Sequence, residues 1–388
     1  MKFTLTPEQA AVQETTRQIL AKEWSTAKVR ELRDGRGDQT GIHDVLGRSG
    51  LLGLAFPDEL GGGDGDLVDL GVLFSEIGRA LGPTSVATSI DALMAMQAFG
   101  AGHLDWFSRV RDGEALATTA LWNPHDADDV RPRLAAERVG DGWRLDGRVS
   151  FVRNGGVADV VVVAAETATG ASIAGLLRLD SEGVGRVPHT TFAHDDQVDL
   201  VLDGAPLADG DVLAGGAPGR GAHVDATLRH LARVSTALQC AEMVGGARVV
   251  LERTTDYIRD RKQFGRAIGS FQAAQHHVAN MRMAVDAAEL VAGHALSKLA
   301  DGQESVREVA IAKIHAGRSY RFVTQTAHQL HGGIGLARES DLHLWSERAK
   351  ALDLLGGGVE VSLMRLAGSL RRPARRRRLE PTTPHEGI

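Results

Sequence analysis

Two short stretches hold residue types whose spacing suits anion binding. In "RDRKQFGRAIGSFQ", residues 259–272, Arg261 stands at the end of a long helical pattern, and a turn with Phe264 and Gly265 leads on to Gln272. A guanidinium held there can present its donors to a phosphate as a bidentate fork. The same placement also serves an ordinary helix, because a cation beside the last turn complements the helix dipole. In "QLHGGIGLARE", residues 329–339, Gln329 and His331 precede Gly332, Gly333 and Gly335. A Gly-Gly-x-Gly turn lets backbone N–H groups approach a pyrophosphate without obstruction by Cβ atoms. Such turns are common in plain loops too, and a Rossmann fingerprint is excluded because no strand precedes this one. His331 is either a base or ligand, or a structural group in a turn. His276 and His277 lack the further ligands a metal centre needs, so no metal is expected.

A third stretch raises a question rather than an activity. "ALDLLGGGVEVSL", residues 351–363, places Gly356, Gly357 and Gly358 where a helical pattern should run on. Three glycines are either an ordinary helix break or the place where a working side chain is missing.

The elements around these stretches fall into three blocks. "TPEQAAVQETTRQILAKEW" offers Thr6 as N-cap, Pro7 at the first helical position and Gln9 to complete a capping box. A second helical stretch, "LVDLGVLFSEIGRALG", stops at Gly82-Pro83. From about Leu116 the period changes to two. "GWRLDGRVSFVRNGG" carries Asp146-Gly147, a hairpin-type signal, and "ADVVVVAAE", "IAGLLRLD" and "QVDLVLDG" read as further strands of an antiparallel sheet. After Gly221 helices return. Val278, Met281, Val285, Ala288, Ala292 and Ala295 form a narrow stripe of mostly small side chains, suited to close packing in a bundle. The expected division is a helical domain at 1–116, a β-domain at 117–220, a helical bundle at 221–370 and a basic tail at 371–388.

The totals exclude some functions. A formal net charge of −6 over 388 residues argues against a nucleic-acid binder, which needs a basic face. The exception is "RRPARRRR", Arg371 to Arg378, which reads as a solvated tail or a local contact for acidic groups. A single cysteine, Cys240, excludes an intramolecular disulfide and fits a reducing compartment. No apolar run is long enough to span a bilayer and the N-terminus lacks a signal pattern, so a cytoplasmic protein with no membrane partner is expected.

In this order, the segments resemble the acyl-CoA dehydrogenase family over almost the whole chain. The resemblance is carried by "LGLAFPDELGG" with "FSEIGRALGP", by "GWRLDGRVSFVRNGGVADVVVVAAE", by "YIRDRKQFGRAIGSFQAAQHHVANM" and by "QTAHQLHGGIGLARESDLHLWSERAKAL". It implies an α+β fold, with an N-terminal helical domain, a middle antiparallel β-domain and a C-terminal four-helix bundle, assembled as a dimer of dimers. It also implies FAD, an acyl-CoA substrate and an acceptor such as an electron-transfer flavoprotein. Carried over residue by residue, Arg261, Phe264, Gln272, Gln329, Gly332 and Gly333 match the turns that hold the ADP half of a flavin seated in a neighbouring subunit.

The other half of the family's site departs from its pattern. The "TEPxAGSD"-like loop that contacts the flavin ring reads "TTALWNPHDADDV" at 118–130 and keeps little beyond Pro124. The Trp-Ile-Thr segment behind the ring is "FVRN", with Phe151 in place of the Trp and Arg153 in place of the hydroxyl residue. Aligning Glu360 with the second Glu of the family's Tyr-Glu-Gly-Thr-x-Glu segment puts Gly356 at the catalytic base, and the alternative base position falls at about Ser235. Asp353 and Glu360 lie about a helical turn to either side, too far to replace a positioned base without large loss. The resemblance thus implies a base-lacking subunit of a heteromeric acyl-CoA dehydrogenase, of the kind that degrades steroid side chains in actinobacteria. Two alternatives stand beside it: a homomeric flavin-dependent oxidoreductase or monooxygenase with altered chemistry, and a non-catalytic scaffold that binds acyl-CoA or a partner protein without flavin.

Overall fold

The computed structural model describes residues 4–35, 38–100, 104–215 and 221–370. The Arg371–Arg378 run lies outside them. Thr6 caps α1 (Pro7–Glu23) with the full capping box to Gln9. Helices α2 (Thr26–Arg33), α3 (Thr40–Arg48) and α4 (Leu67–Ala80) follow, and Leu81 ends α4 in a left-handed conformation just before Gly82-Pro83. Helix α5 (Thr84–Ala98) is buried along most of its length, and α6 (Leu104–Arg111) leads into the sheet. Asp91 is the only ionisable residue on α5, a placement that matters below.

Eight strands form the middle layer: β1 (Ala117–Ala120), β2 (Leu134–Val139), β3 (Gly142–Arg153), β4 (Val160–Thr167), β5 (Ser172–Arg178), β6 (Val184–Pro188), β7 (Gln197–Ala208) and β8 (Val212–Ala214). Their order is β6-β7-β3-β2-β4-β5-β8, with β1 also beside β4. The sheet is mixed rather than purely antiparallel, which corrects the expectation. β1 and β2 both pair parallel to β4, end to end along one edge, with Ala117 opposite Val160 and Leu134 opposite Ala165. The apolar run of β4 is covered on both faces. Val161, Val163 and Ala165 enter the β-domain core, while Val160, Val162 and Ala164 enter the core shared with the helices.

Asp146-Gly147 is not a hairpin turn either. The pair lies inside β3 at a bulge, where the register to β7 shifts between Leu145 and Gly147. Gly147 has φ 130°, and the Asp146 carboxylate accepts the Gly204 N–H at 2.8 Å. A bulge bends a long strand without ending it, and the hairpin closes instead at Val139↔Gly142 around Gly140, with φ 56°.

The C-terminal layer begins with α7 (Gly221–Asp260), then a small hairpin of β9 (Lys262–Gln263) and β10 (Arg266–Ala267), then α8 (Gln272–Ala300) and α9 (Val306–His331). The single-turn α10 (Gly333–Leu336), α11 (Leu342–Leu354) and α12 (Val359–Leu370) complete it. The α8 stripe packs inward as read from the sequence: Met281, Val285, Ala288, Ala292 and Ala295 are buried, and Val278 packs against the core. Helices α4 and α7 cross at glycines. A Cβ on Gly78 would lie 1.9 Å from the Glu242 carbonyl oxygen, and one on Gly245 1.8 Å from that of Ser75. This crossing fixes the N-terminal helices, and with them α5, against α7. Among the described residues no helix is long and apolar enough to cross a membrane.

Candidate flavin and acyl-thioester site

The phosphate-type residues lie on an outer surface. Arg261 follows directly on α7; its N–H donates to the Tyr257 carbonyl at 2.8 Å, and its side chain forms no ion pair among the described residues. The next turn holds Phe264 at φ 52° and Gly265 at φ 79°, and Phe264 is 93% exposed. A phenylalanine so exposed in a left-handed turn is a large apolar group without a cover in the lone chain. Gln272, the first residue of α8, is exposed as well.

Gln329, Gly332 and Gly333 are also exposed at the end of α9, with nothing within 4 Å of a Cβ on either glycine. His331 is resolved as structural. Its ring stacks on Tyr257 at 4.2 Å, its Nδ1 lies 2.8 Å from the Ala327 carbonyl, and burial lowers its pKa. That stack joins the last turn of α7 to the last turn of α9, so the Arg261 and Gly332 turns sit at one end of the bundle. His276 and His277 stand exposed on α8.

The ring half is built differently. Phe151 sits on β3 at φ 58°, 38% exposed, stacked at 4.7 Å on His189 and edge-on to His125 at 5.4 Å. Its N–H donates to Asp199 at 3.0 Å, and His189 Nε2 lies 2.7 Å from the same carboxylate. Two residues on, Arg153 turns inward. Its guanidinium is buried, 4.0 Å from the Asp195 carboxylate and within the field of Asp91, Glu242 and Arg348. Burial pulls its pKa down, and the Asp195 charge opposes that shift.

Sequence reasoning missed Asp91. From α5 its carboxylate accepts the Ser235 hydroxyl at 2.8 Å, and Gln239 Nε2 donates to the same hydroxyl oxygen at 3.3 Å. Burial pushes Asp91 up to about 7, while the Ser235 hydrogen bond and the Arg153 charge hold it back. The available signal was one acidic residue in an otherwise uncharged helix. Asp91, Arg153, Ser235 and Gln239 line a cavity of about 50 Å³, walled by Trp122 and Phe151. Gln239 Oε1 is buried there without a hydrogen-bond partner.

Gly356 closes one side. It has φ +69°, donates its N–H to the Pro124 carbonyl at 2.7 Å and accepts the Ala127 N–H at 3.1 Å. Arg365 of α12 donates to the Gly356 carbonyl at 2.9 Å and to Asp126 at 2.5 Å, and pairs with Asp128 at 3.0 Å. Of the 118–130 segment, 118–120 belongs to β1, and Pro124 and Ala127 of the remainder bond to the glycine. A Cβ at 356 would lie 3.4 Å from the Ala127 Cβ, an ordinary contact, so what opposes a side chain there is the left-handed backbone. Neither neighbouring carboxylate lines the cavity. Asp353 is buried against α9 and pairs with Arg321 at 3.2 Å, and Glu360 is exposed.

The fold and this divided site define a class: a flavoprotein oxidoreductase built from helices, a β-layer and a helical bundle. The chain belongs to the acyl-CoA dehydrogenase family, whose N-terminal domain model matches residues 6–103 and whose C-terminal domain model matches 219–370. It is 27% identical to an acyl-CoA dehydrogenase of Mycolicibacterium smegmatis, IpdE2, covering 93% of this chain and 98% of that one. Its structure is similar to the ChsE4-ChsE5 complex of Mycobacterium tuberculosis, with TM-score 0.85, 27% identity and coverage of 96% and 100%. It is similar too to the Tcur3481-Tcur3483 steroid ACAD, with TM-score 0.82, 28% identity and coverage of 94% and 98%.

FAD is the family's cofactor, and the residues present fit only part of it. The exposed Arg261 and Gly332-Gly333 turns suit a diphosphate. The cavity of about 50 Å³ does not suit a three-ring flavin head, since small-molecule pockets run to roughly 300–1,000 Å³.

Proposed function

We propose that this chain is one subunit of a heteromeric FAD-dependent acyl-CoA dehydrogenase, acting with a homologous subunit in α,β-dehydrogenation of an acyl-CoA, a steroid side-chain thioester being the favoured class. The partner supplies the flavin-ring pocket and the base. This chain supplies Arg261, Phe264, Gln272, Gln329, Gly332 and Gly333 to the ADP half. A soluble flavoprotein of the electron-transferring type is the matching acceptor.

One observation carries the reading: the ADP-type turns are present and uncovered, while only about 50 Å³ is open beside Phe151 and Arg153. The two solved neighbours support it by their descriptions, one a complex of two chains and the other a steroid enzyme. The test is to purify the chain alone and with a homologous chain from an adjacent gene, then measure native mass and bound flavin. One FAD per pair of unlike chains, and little in the lone chain, is expected. A full flavin complement in a homotetramer would move the weight to a homomeric oxidoreductase, for which Asp91 offers the one carboxyl at the cleft.

A further inference from the structure

We propose that Arg153, balanced between Asp195 and Asp91, is the residue that denies this chain's own cleft to a flavin ring. Cofactor placement in the assembly is then decided here by one guanidinium and its carboxylates. The inference rests on the heteromer reading, and it identifies what enforces that reading in atomic terms.

Three observations support it. The first is position. Arg153 ends β3 two residues after Phe151, and its side chain enters the cavity between α5, α7 and the 121–130 segment. What remains open, about 50 Å³, is room for one or two waters, whose share of liquid volume is about 30 Å³ each.

The second is charge. A lone buried guanidinium would be expelled toward water, but this one has Asp195 as its counter-charge, with the Asp91 carboxyl adding to its field. Asp195 stands 4.0 Å from its Nε and is itself fixed by Thr191 at 2.7 Å and Gln197 at 2.8 Å. Asp91 is fixed by Ser235 at 2.8 Å. Next to them Arg348 holds Glu242 at 2.8 Å, so two guanidinium groups face three carboxyl groups inside one buried cluster. A ring entering this space would have to displace Arg153 and leave Asp195 without its cation.

The third is the roof. Gly356 and Arg365 hold Pro124, Asp126, Ala127 and Asp128, so the segment over the cavity is bonded at four residues and cannot lift without breaking those contacts. Arg153 narrows the cleft, and Pro124 of the bonded segment lines it too.

Lumiflavin, a ring without the ADP arm, is the probe that separates ring exclusion from ADP binding. The lone chain is titrated with lumiflavin and fluorescence quenching is followed, with circular dichroism and native mass as checks of folding. Wild type should show no saturable quenching, whereas Arg153→Met, which keeps bulk but loses the pairing with Asp195 and Asp91, should show weak saturable quenching. Arg153→Thr/Asp91→Ala should saturate at a concentration at least tenfold below the highest at which wild type shows no saturation. In the co-expressed complex the same double variant should raise bound flavin above one per pair. A folded double variant that takes up no more lumiflavin than wild type, in a complex whose wild-type form holds one FAD per pair, would overturn the role of Arg153 alone and leave the heteromer reading standing. Two further outcomes need only wild-type protein as their starting point. Lumiflavin-dependent protection of residues 149–153 and 235–239 in hydrogen exchange would overturn the proposal. So would acyl-CoA oxidation by the lone chain that Asp91→Asn abolishes, since Asp91 would then be a base in a working cleft.

Discussion

The N–H of Gly356 donates to the carbonyl of Pro124 at 2.7 Å, and this bond joins the two places where the chain departs from its family. By the family resemblance, Pro124 lies in the segment matched to the flavin-ring loop and Gly356 at the position matched to the base. With the return bond from Ala127 to the Gly356 carbonyl, they form one interlocked unit. On the proposed reading, the absent base and the altered ring loop are coupled through these two bonds. A side chain at 356 would start from a left-handed backbone, in contact with Ala127 of that loop.

Gly356→Glu should accordingly fail to create dehydrogenase activity in the lone chain, and it should also lower stability. A non-glycine residue at φ +69° carries about 1–3 kcal/mol of backbone strain. A clear fall in melting temperature with no acyl-CoA oxidation is expected. Strong activity from this variant alone would show that a missing base is the chain's only defect.

Arg261→Ala tests the outer half. The side chain is exposed and forms no ion pair among the described residues, so the lone chain should melt as before. In the assembled complex, loss of hydrogen bonds from a charged donor costs about 1.5–3 kcal/mol, or roughly ten- to hundredfold in flavin dissociation constant. Equilibrium dialysis of the complex measures it, and unchanged retention would place the diphosphate elsewhere.

Much of this was legible in the chain itself. The Thr6 capping box, the α8 stripe and the Arg261–Gly265 turn depend on neighbours in sequence, and local pattern reads such features well. The parallel pairing of β1 and β2 with β4 was not legible, because an apolar run does not state which strands flank it. Asp146-Gly147 shows the same limit: a turn-forming pair serves equally as a bulge, and only the partner strand decides. Asp91 escaped notice for a third reason. Its meaning comes from Ser235, 144 residues away in sequence, and from Arg153 on another layer.

Asp91 should leave a mark on the pH dependence of stability. Its ordinary value is 3.8, and burial lifts it to about 7 in the folded chain. Between those values the folded state keeps a proton that the unfolded state has released. Stability is therefore fully present below about pH 4 as far as this group is concerned, and it is lost as pH rises through about 7, at up to about 1.4 kcal/mol per pH unit. Asp91→Asn, which can still accept from Ser235, should flatten that slope between pH 4.5 and 7.5 and melt higher than wild type at the upper end. Parallel melting curves for the two proteins across this range would remove the burial argument for Asp91.

Lys313 offers a test of what holds Gly356 in place. It is buried on α9, and its Nζ donates to the Leu352 carbonyl at 2.5 Å and the Leu355 carbonyl at 2.8 Å, closing the C-terminal end of α11 just before the glycine run. Burial pulls its pKa down to about 8, yet the two carbonyls accept from either protonation state. Lys313→Met keeps the aliphatic stem and removes both donations, leaving buried carbonyls that cost about 1–3 kcal/mol each when unpaired. The expected result is a lower melting temperature together with faster hydrogen exchange at the amides of Gly356 and Ala127, because the end of α11 loses its anchor and the interlock with the 121–130 segment loosens with it. Faster exchange confined to α9, with those two amides still protected, would show that the loop and Arg365 hold Gly356 without help from Lys313.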